Sequence, residues 1–165
     1  MNHTQTYMET HYGTKTDKTT YAELYAKYVY NKYFKKIGKV LDFGCNNGIY
    51  MEGFKKIGCD CCGVDINEDQ INVCLNKGLE ARLFNIEKKS IPYPDEKFDF
   101  IFFKSTIEHI PLPNILPILI ECKRVLKKDG KIFILTDEWK RCYKTFYDDT
   151  THITPMTKKK VNQLD

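Results

Sequence analysis

Two glycines four residues apart, each near an aspartate-ended apolar run, carry the first chemical signal. In VLDFGCNNGIY, residues 40–50, the run ends in Asp42, and Gly44 and Gly48 frame a turn into the next segment. Glycine at such a turn removes the side chain that would keep a ligand from the backbone N–H groups and the following helix N-terminus. The spacing is not the G-x-G-x-x-G of a dinucleotide turn, because Asn46 and Asn47 occupy the intervening places. A carboxylate two residues before the first glycine repels a pyrophosphate and suits a cation, such as an amino-acid ammonium or a sulfonium. Asp65, which closes CCGVD, is placed to accept two hydrogen bonds from a ribose diol. Asn67 is the better N-cap for the helix starting near Glu68, so Asp65 is expected free at the upper edge of a sheet.

Glu108 and His109 in STIEHI, and His152 in DDTTHITPMT, are the groups that could move a proton. His152 follows an aromatic and basic stretch containing Trp139, Arg141, Lys144 and Tyr147, and is expected on the substrate side as the first candidate for a general base. For His109 a structural or ligand-shielding role is the favoured reading, with general base as its alternative. The same loop also reads as turns capped by Asp149 and Thr151. No metal site is expected. Cys59 and Cys62 form a C-x-x-C, but it sits in an apolar strand and no second pair follows.

The elements that must position these residues alternate. A helix over 17–34 carries Tyr21, Leu24, Tyr25 and Tyr28 on one face, expected against the sheet edge, and Gly38 closes it. KVLDF is a strand, followed by a helix over 48–57. CCGVD is the next, followed by a helix over 68–77. EARLF, FDFIFF and KIFILT supply three more strands, with a helix over 113–126 and a turn at Asp129–Gly130 before the last. Strands alternating with helices over short loops predict βαβ units, hence an α/β, doubly wound, mostly parallel sheet. The strands are almost continuously apolar, as strands covered on both faces are.

Composition narrows the partners. The chain has 165 residues, a formal net charge of +4, and interleaved basic and acidic residues, so no basic stripe argues for nucleic acid. Lys158–Lys160 is the one basic run and reads as a solvated helix face. No apolar stretch is long enough for a membrane span, and MNHTQTYMETHYG has no signal-like core, which points to a soluble, cytoplasmic protein. Seven cysteines, several in apolar segments, agree with reduced buried thiols.

VLDFGCNNG, GVDINEDQI, FNIEKKSIPYPDEKFDFIFFKSTIEHI and ECKRVLKKDGKIFILT, in this order, resemble the motifs of the class I S-adenosylmethionine-dependent methyltransferases. The resemblance covers roughly residues 39–136. It implies a Rossmann-like fold with S-adenosylmethionine as cofactor and a small-molecule or glycan acceptor. It further implies that Asp42 holds the methionine ammonium and that the backbone from Gly44 through Cys45 and Asn46 to Gly48 wraps the methionine and ribose. Asp65 takes the ribose hydroxyls, Ile66 packs on the adenine, Asn85 meets its amine and Ile86 lines its pocket. Lys104 and Ser105 lie beside the reacting methyl group, where a lysine must point away or meet an anionic substrate. Asn46 stands where the family commonly has glycine, and asparagine tolerates positive φ better than other residues. D-x-T-H-x-x-P-x-T around His152 is similar to a stretch in small-molecule and glycan-directed members.

The resemblance divides the chain into an N-terminal segment and helix (1–37), a cofactor-binding α/β core (38–136), and a substrate-side segment that opens a further helix (137–165). Tyr7 and Tyr12 are candidates for a flap over the cofactor. The family sheet has seven strands, and the last two are not legible here, so the reading expects a shortened sheet. Its exposed edge would take a partner, a second copy of the chain included. Two alternatives stay open: a non-catalytic cofactor-binding module, and an NAD-dependent oxidoreductase.

Overall fold

In the computed structural model, residues 17–88 and 90–162 are described, and the candidate flap residues Tyr7 and Tyr12 lie outside them. The chain divides into two compact units, Met1–Leu83 and Phe84–Asp165.

The first unit opens with α1 (Lys18–Val29), capped by Asp17, whose carboxylate accepts from the Thr19 and Thr20 N–H groups at 2.9 and 3.0 Å. A π-turn, Tyr30–Phe34, prolongs it, and Lys35 ends it in the left-handed conformation at φ 60°. The stop therefore falls at Lys35, not at Gly38. The buried stripe is Ala22, Tyr25, Ala26 and Val29, rotated from the expected Tyr21, Leu24, Tyr25 and Tyr28. The reason is α2 (Ile49–Lys56), against which α1 packs in place of the sheet edge. A Cβ on Gly53 would stand 3.0 Å from the Ala22 carbonyl oxygen and 3.1 Å from the Ala26 Cβ, so only small residues let the two helices approach. Tyr25 meets Tyr50 edge-on at 6.0 Å, and Phe34 stacks on Phe54 at 5.7 Å.

Strand β1 (Lys39–Phe43) runs parallel to β2 (Asp60–Asp65), with Asp42 paired to Gly63, and β2 runs parallel to β3 (Glu80–Leu83). Between them α3 (Glu68–Asn76) starts at Asn67, which accepts from the Asp69 N–H at 2.9 Å as a capping side chain does.

In the second unit, β4 (Phe98–Lys104) pairs in parallel with β5 (Leu126–Leu135). Phe98, Phe100, Ile101, Phe102 and Phe103 are all buried, which is the two-sided cover its apolar run called for. Strand β5 begins at Leu126, so Asp129–Gly130 is no turn before the strand. Phe98 pairs with Leu126 and Phe100 with Lys131, and the residues from Lys127 to Gly130 form an irregular bulge in the ladder. The connecting helix α4 (Leu112–Val125) buries Ile115, Ile118, Leu119, Cys122 and Val125. Arg124 braces the loop before β4: it bonds the Tyr93 and Ile91 carbonyls at 3.0 and 2.9 Å, Glu121 at 2.7 Å and Asp95 at 2.7 Å. Beyond β5 come α5 (Trp139–Cys142), a 3-10 turn at Phe146–Asp148 and α6 (Lys158–Val161).

The five strands make one sheet in the order β3-β2-β1-β4-β5, the mostly parallel Rossmann-like architecture expected from the alternation. All seven cysteines are free thiols. Among the described residues no helix is long and apolar enough to cross a membrane.

Candidate functional site

The turn after β1 is built from left-handed residues. Gly44 and Gly48 both have φ 79°, and Asn46 between them has φ 48°, so asparagine does occupy the conformation usually left to glycine. The Gly44 and Cys45 N–H groups donate to the Val64 carbonyl at 2.8 and 3.0 Å, pinning the turn to the end of β2. Two absent side chains make that possible. A Cβ on Gly63 would fall 2.6 Å from the Cys45 sulfur and 2.7 Å from the Met51 sulfur, and one on Gly48 would fall 2.5 Å from Leu79 Cδ1. The far side is held by α3, where the Cys74 thiol donates to the Asn46 carbonyl at 3.2 Å, and by Lys77, whose ammonium donates to the Asn47 carbonyl at 2.9 Å.

Asp42 lies beneath this turn, 2% exposed, and its Oδ2 is buried with no hydrogen-bond partner. Burial, reinforced by the neighbouring charge of Asp65, pushes its carboxyl up to about 8. A buried carboxylate in that state gains most from a cationic or multiply donating partner, the chemistry an amino-acid ammonium supplies.

Asp65 is not free. Its Oδ2 accepts from the Asn46 N–H at 2.8 Å and its Oδ1 from the Asn67 N–H at 2.9 Å, so it ties the glycine turn to the end of β2. The expectation of an unengaged carboxylate overlooked these two backbone donors, which only the folded turn brings near. Each oxygen keeps a second lone pair, so a diol can still donate to it. Ile66 beside it is 63% exposed, an apolar surface with room for a flat ring.

The remaining positions lie in the second unit. Asn85 accepts from the Glu87 N–H at 2.9 Å and starts a 3-10 turn at Ile86–Lys88, with Asn85 and Ile86 both half-buried. Lys104 donates to the Ser105 hydroxyl at 2.6 Å, and Ser105 is left-handed at φ 50°. Burial holds the Lys104 ammonium below lysine's usual range, opposed by Glu108 and Asp137.

Three further groups of this unit converge. Glu108 is fully buried, His109 and His152 are half-buried, and one ligating atom from each lies within 4.8 Å of the others. The imidazoles sit with centroids 4.8 Å apart. His152 Nδ1 is 2.8 Å from the Phe146 carbonyl oxygen, an acceptor only, so Nδ1 carries the proton and Nε2 the lone pair. His109 Nδ1 is 3.1 Å from the Thr151 carbonyl and 3.0 Å from the Thr151 hydroxyl, whose own proton goes to Asp149 at 2.6 Å. The same tautomer follows. Thr136 donates to Glu108 Oε2 at 3.0 Å, while Glu108 Oε1 is buried without a partner. Thr136 carried no signal in the sequence, because its role depends on where the end of β5 falls.

The family model of the methyltransferase domain matches residues 41–134. The ubiquinone biosynthesis O-methyltransferase of Glaesserella parasuis serovar 5 (strain SH0165) is 35% identical over 108 residues, taking in 59% of this chain and 44% of that protein. Its counterpart in Actinobacillus pleuropneumoniae serotype 7 (strain AP76) is 34% identical over 108 residues, taking in 59% of this chain and 45% of that protein. The chain thus spans less than half the length of these curated relatives. Among solved structures, a SAM-dependent methyltransferase from Archaeoglobus fulgidus superposes on 99% of this chain and 72% of its own, with a TM-score of 0.74 and 27% identity.

Proposed function

Because the chain belongs to the class I S-adenosylmethionine-dependent methyltransferase family, we propose that it binds S-adenosylmethionine on the turn after β1 and transfers the methyl group to a small-molecule acceptor. The observation that carries this reading is Asp42: a fully buried carboxyl with an orphaned oxygen, under a turn whose glycines leave its backbone open. Asp42 would hold the methionine ammonium, the Gly44–Gly48 backbone the methionine and ribose, and Asp65 the ribose hydroxyls. Ile66 supports the adenine. The family pattern adds Asn85 and Ile86 for the adenine, and Lys104 and Ser105 for the neighbourhood of the reacting methyl. When bound, the cofactor supplies a sulfonium-borne methyl group for in-line displacement. The protein's part is then to align an acceptor and exclude water, which requires no particular base. The similarity to ubiquinone biosynthesis O-methyltransferases supports an oxygen acceptor on a small molecule; a glycan hydroxyl is the second class, resting on the sequence pattern around His152 alone. The free cysteines support a reducing, cytoplasmic setting.

Calorimetry with S-adenosylmethionine, S-adenosylhomocysteine and NAD tests the cofactor. We expect micromolar binding of both sulfur ligands, none of NAD, and at least tenfold weaker binding by Asp65→Ala. NAD binding alone would move the chain to oxidoreductase chemistry. Transfer of a labelled methyl group to a panel of phenols, small alcohols and glycans tests the second half; binding without transfer to any acceptor identifies a cofactor-binding module.

A further inference from the structure

The methyl-transfer reading leaves Glu108, His109 and His152 without a task, and their arrangement is that of a ligand set. A carboxylate oxygen and two imidazole nitrogens lie within 4.8 Å of one another. Both histidines give Nδ1–H to oxygens of the surrounding loop, His152 to the Phe146 carbonyl and His109 to Thr151, which turns both Nε2 lone pairs away from those anchors. Metal-binding histidines are held in this way, by a hydrogen bond at the nitrogen that does not ligate. Glu108 supplies the independent observation. It is fully buried, Thr136 fixes one of its oxygens, and the other has no partner. A buried carboxylate oxygen left unbonded costs several kcal/mol unless a cation or donor meets it.

We propose that Glu108, His109 and His152 bind a divalent first-row transition ion. Two imidazoles and one carboxylate select zinc, iron or cobalt over magnesium or calcium, which prefer all-oxygen sets. An ion with bonds of about 2.0–2.1 Å holds tetrahedral ligands about 3.3 Å apart, so no pair of the three atoms has to close by more than roughly 1.5 Å when it enters. Three protein ligands leave at least one position open, the feature of ions that bind a substrate oxygen or water. Asp149 Oδ2, 3.7 Å from His152 Nε2, adds a second negative charge at the rim. The local chain supports the assembly: the Ile153 and Thr154 N–H groups donate to the Glu108 carbonyl at 3.0 and 2.9 Å, locking the His152 loop onto the Glu108–His109 turn.

The test of the ion site uses no cofactor. The tag-free full chain, stripped with a chelator, is titrated with cobalt(II) by visible absorption and with zinc(II) by calorimetry. We expect one ion per chain at micromolar affinity or tighter, d–d bands of a nitrogen- and oxygen-ligated cobalt, and no saturation with magnesium over the same range. Glu108→Gln, which keeps shape and removes charge, weakens zinc at least tenfold, and His152→Ala abolishes the cobalt bands. Should the buried Glu108→Gln variant not fold, His109→Gln and His152→Ala carry the comparison. The assignment is overturned by an absence of saturable binding, by equal affinity in the wild type and the variants that fold, or by sulfur-to-cobalt charge-transfer bands, which would place the ion on cysteines.

Discussion

Replacing Asp42 with asparagine should change how the stability of the free protein responds to pH. The unfolded carboxyl titrates near 3.8, and in the fold it is pushed up to about 8 by burial and by Asp65. Between those values the native state holds a proton that the unfolded state has lost, so stability falls as pH rises from 3.8 to about 8 and is level above it. At ~1.4 kcal/mol per unit, raising pH from about 5 to about 9 costs the wild type roughly 4 kcal/mol through this one group. Asparagine keeps the shape and has no such titration. Its unpaired amide lowers stability by a constant 1–3 kcal/mol or so at every pH, which cancels from the pH difference. Urea unfolding followed by circular dichroism, at steps across that range and without ligand, gives the two curves. The wild type should lose roughly 4 kcal/mol relative to Asp42→Asn. Curves that stay parallel within about half a kcal/mol would show that Asp42 is ionised in the fold, and the case for a carboxyl awaiting a cation would fall with them.

The same carboxyl should make cofactor binding release a proton. At pH about 6.5 close to one proton leaves per complex with S-adenosylmethionine in the wild type and none in Asp42→Asn, read from the observed enthalpy in buffers of different ionisation enthalpy. Gly63→Ala drives a Cβ to 2.6 Å from the Cys45 sulfur, and should lower stability by about 1–3 kcal/mol in urea melts while weakening the cofactor through the displaced turn. Arg124→Ala removes a fork that bonds two carbonyls and two carboxylates, and should cost about 2–3 kcal/mol in the same assay. Arg124→Lys should recover only part of that, because a single ammonium cannot span those partners.

Much of the framework was legible in the residues. Strand β1 occupies the expected KVLDF, Asn67 caps α3 as its side chain and position dictate, and Asn46 takes the positive φ that few non-glycine residues accept. These are local matters, settled by a side chain and its own backbone. Tertiary structure decided the rest. The face α1 buries follows from Gly53 on another helix, and the bulge that starts β5 early follows from its pairing with β4. Asp65 is engaged because the folded turn carries the Asn46 N–H to it. Glu108 and His109 are adjacent in the chain, but His152 joins them only because its loop bonds back to the Glu108 carbonyl. The sequence alone determined which residues could titrate, ligate or turn. Whether a carboxylate is buried without a partner or bonded to a backbone amide depends on segments distant in the chain, since desolvation and hydrogen bonding act between whatever groups the fold brings together.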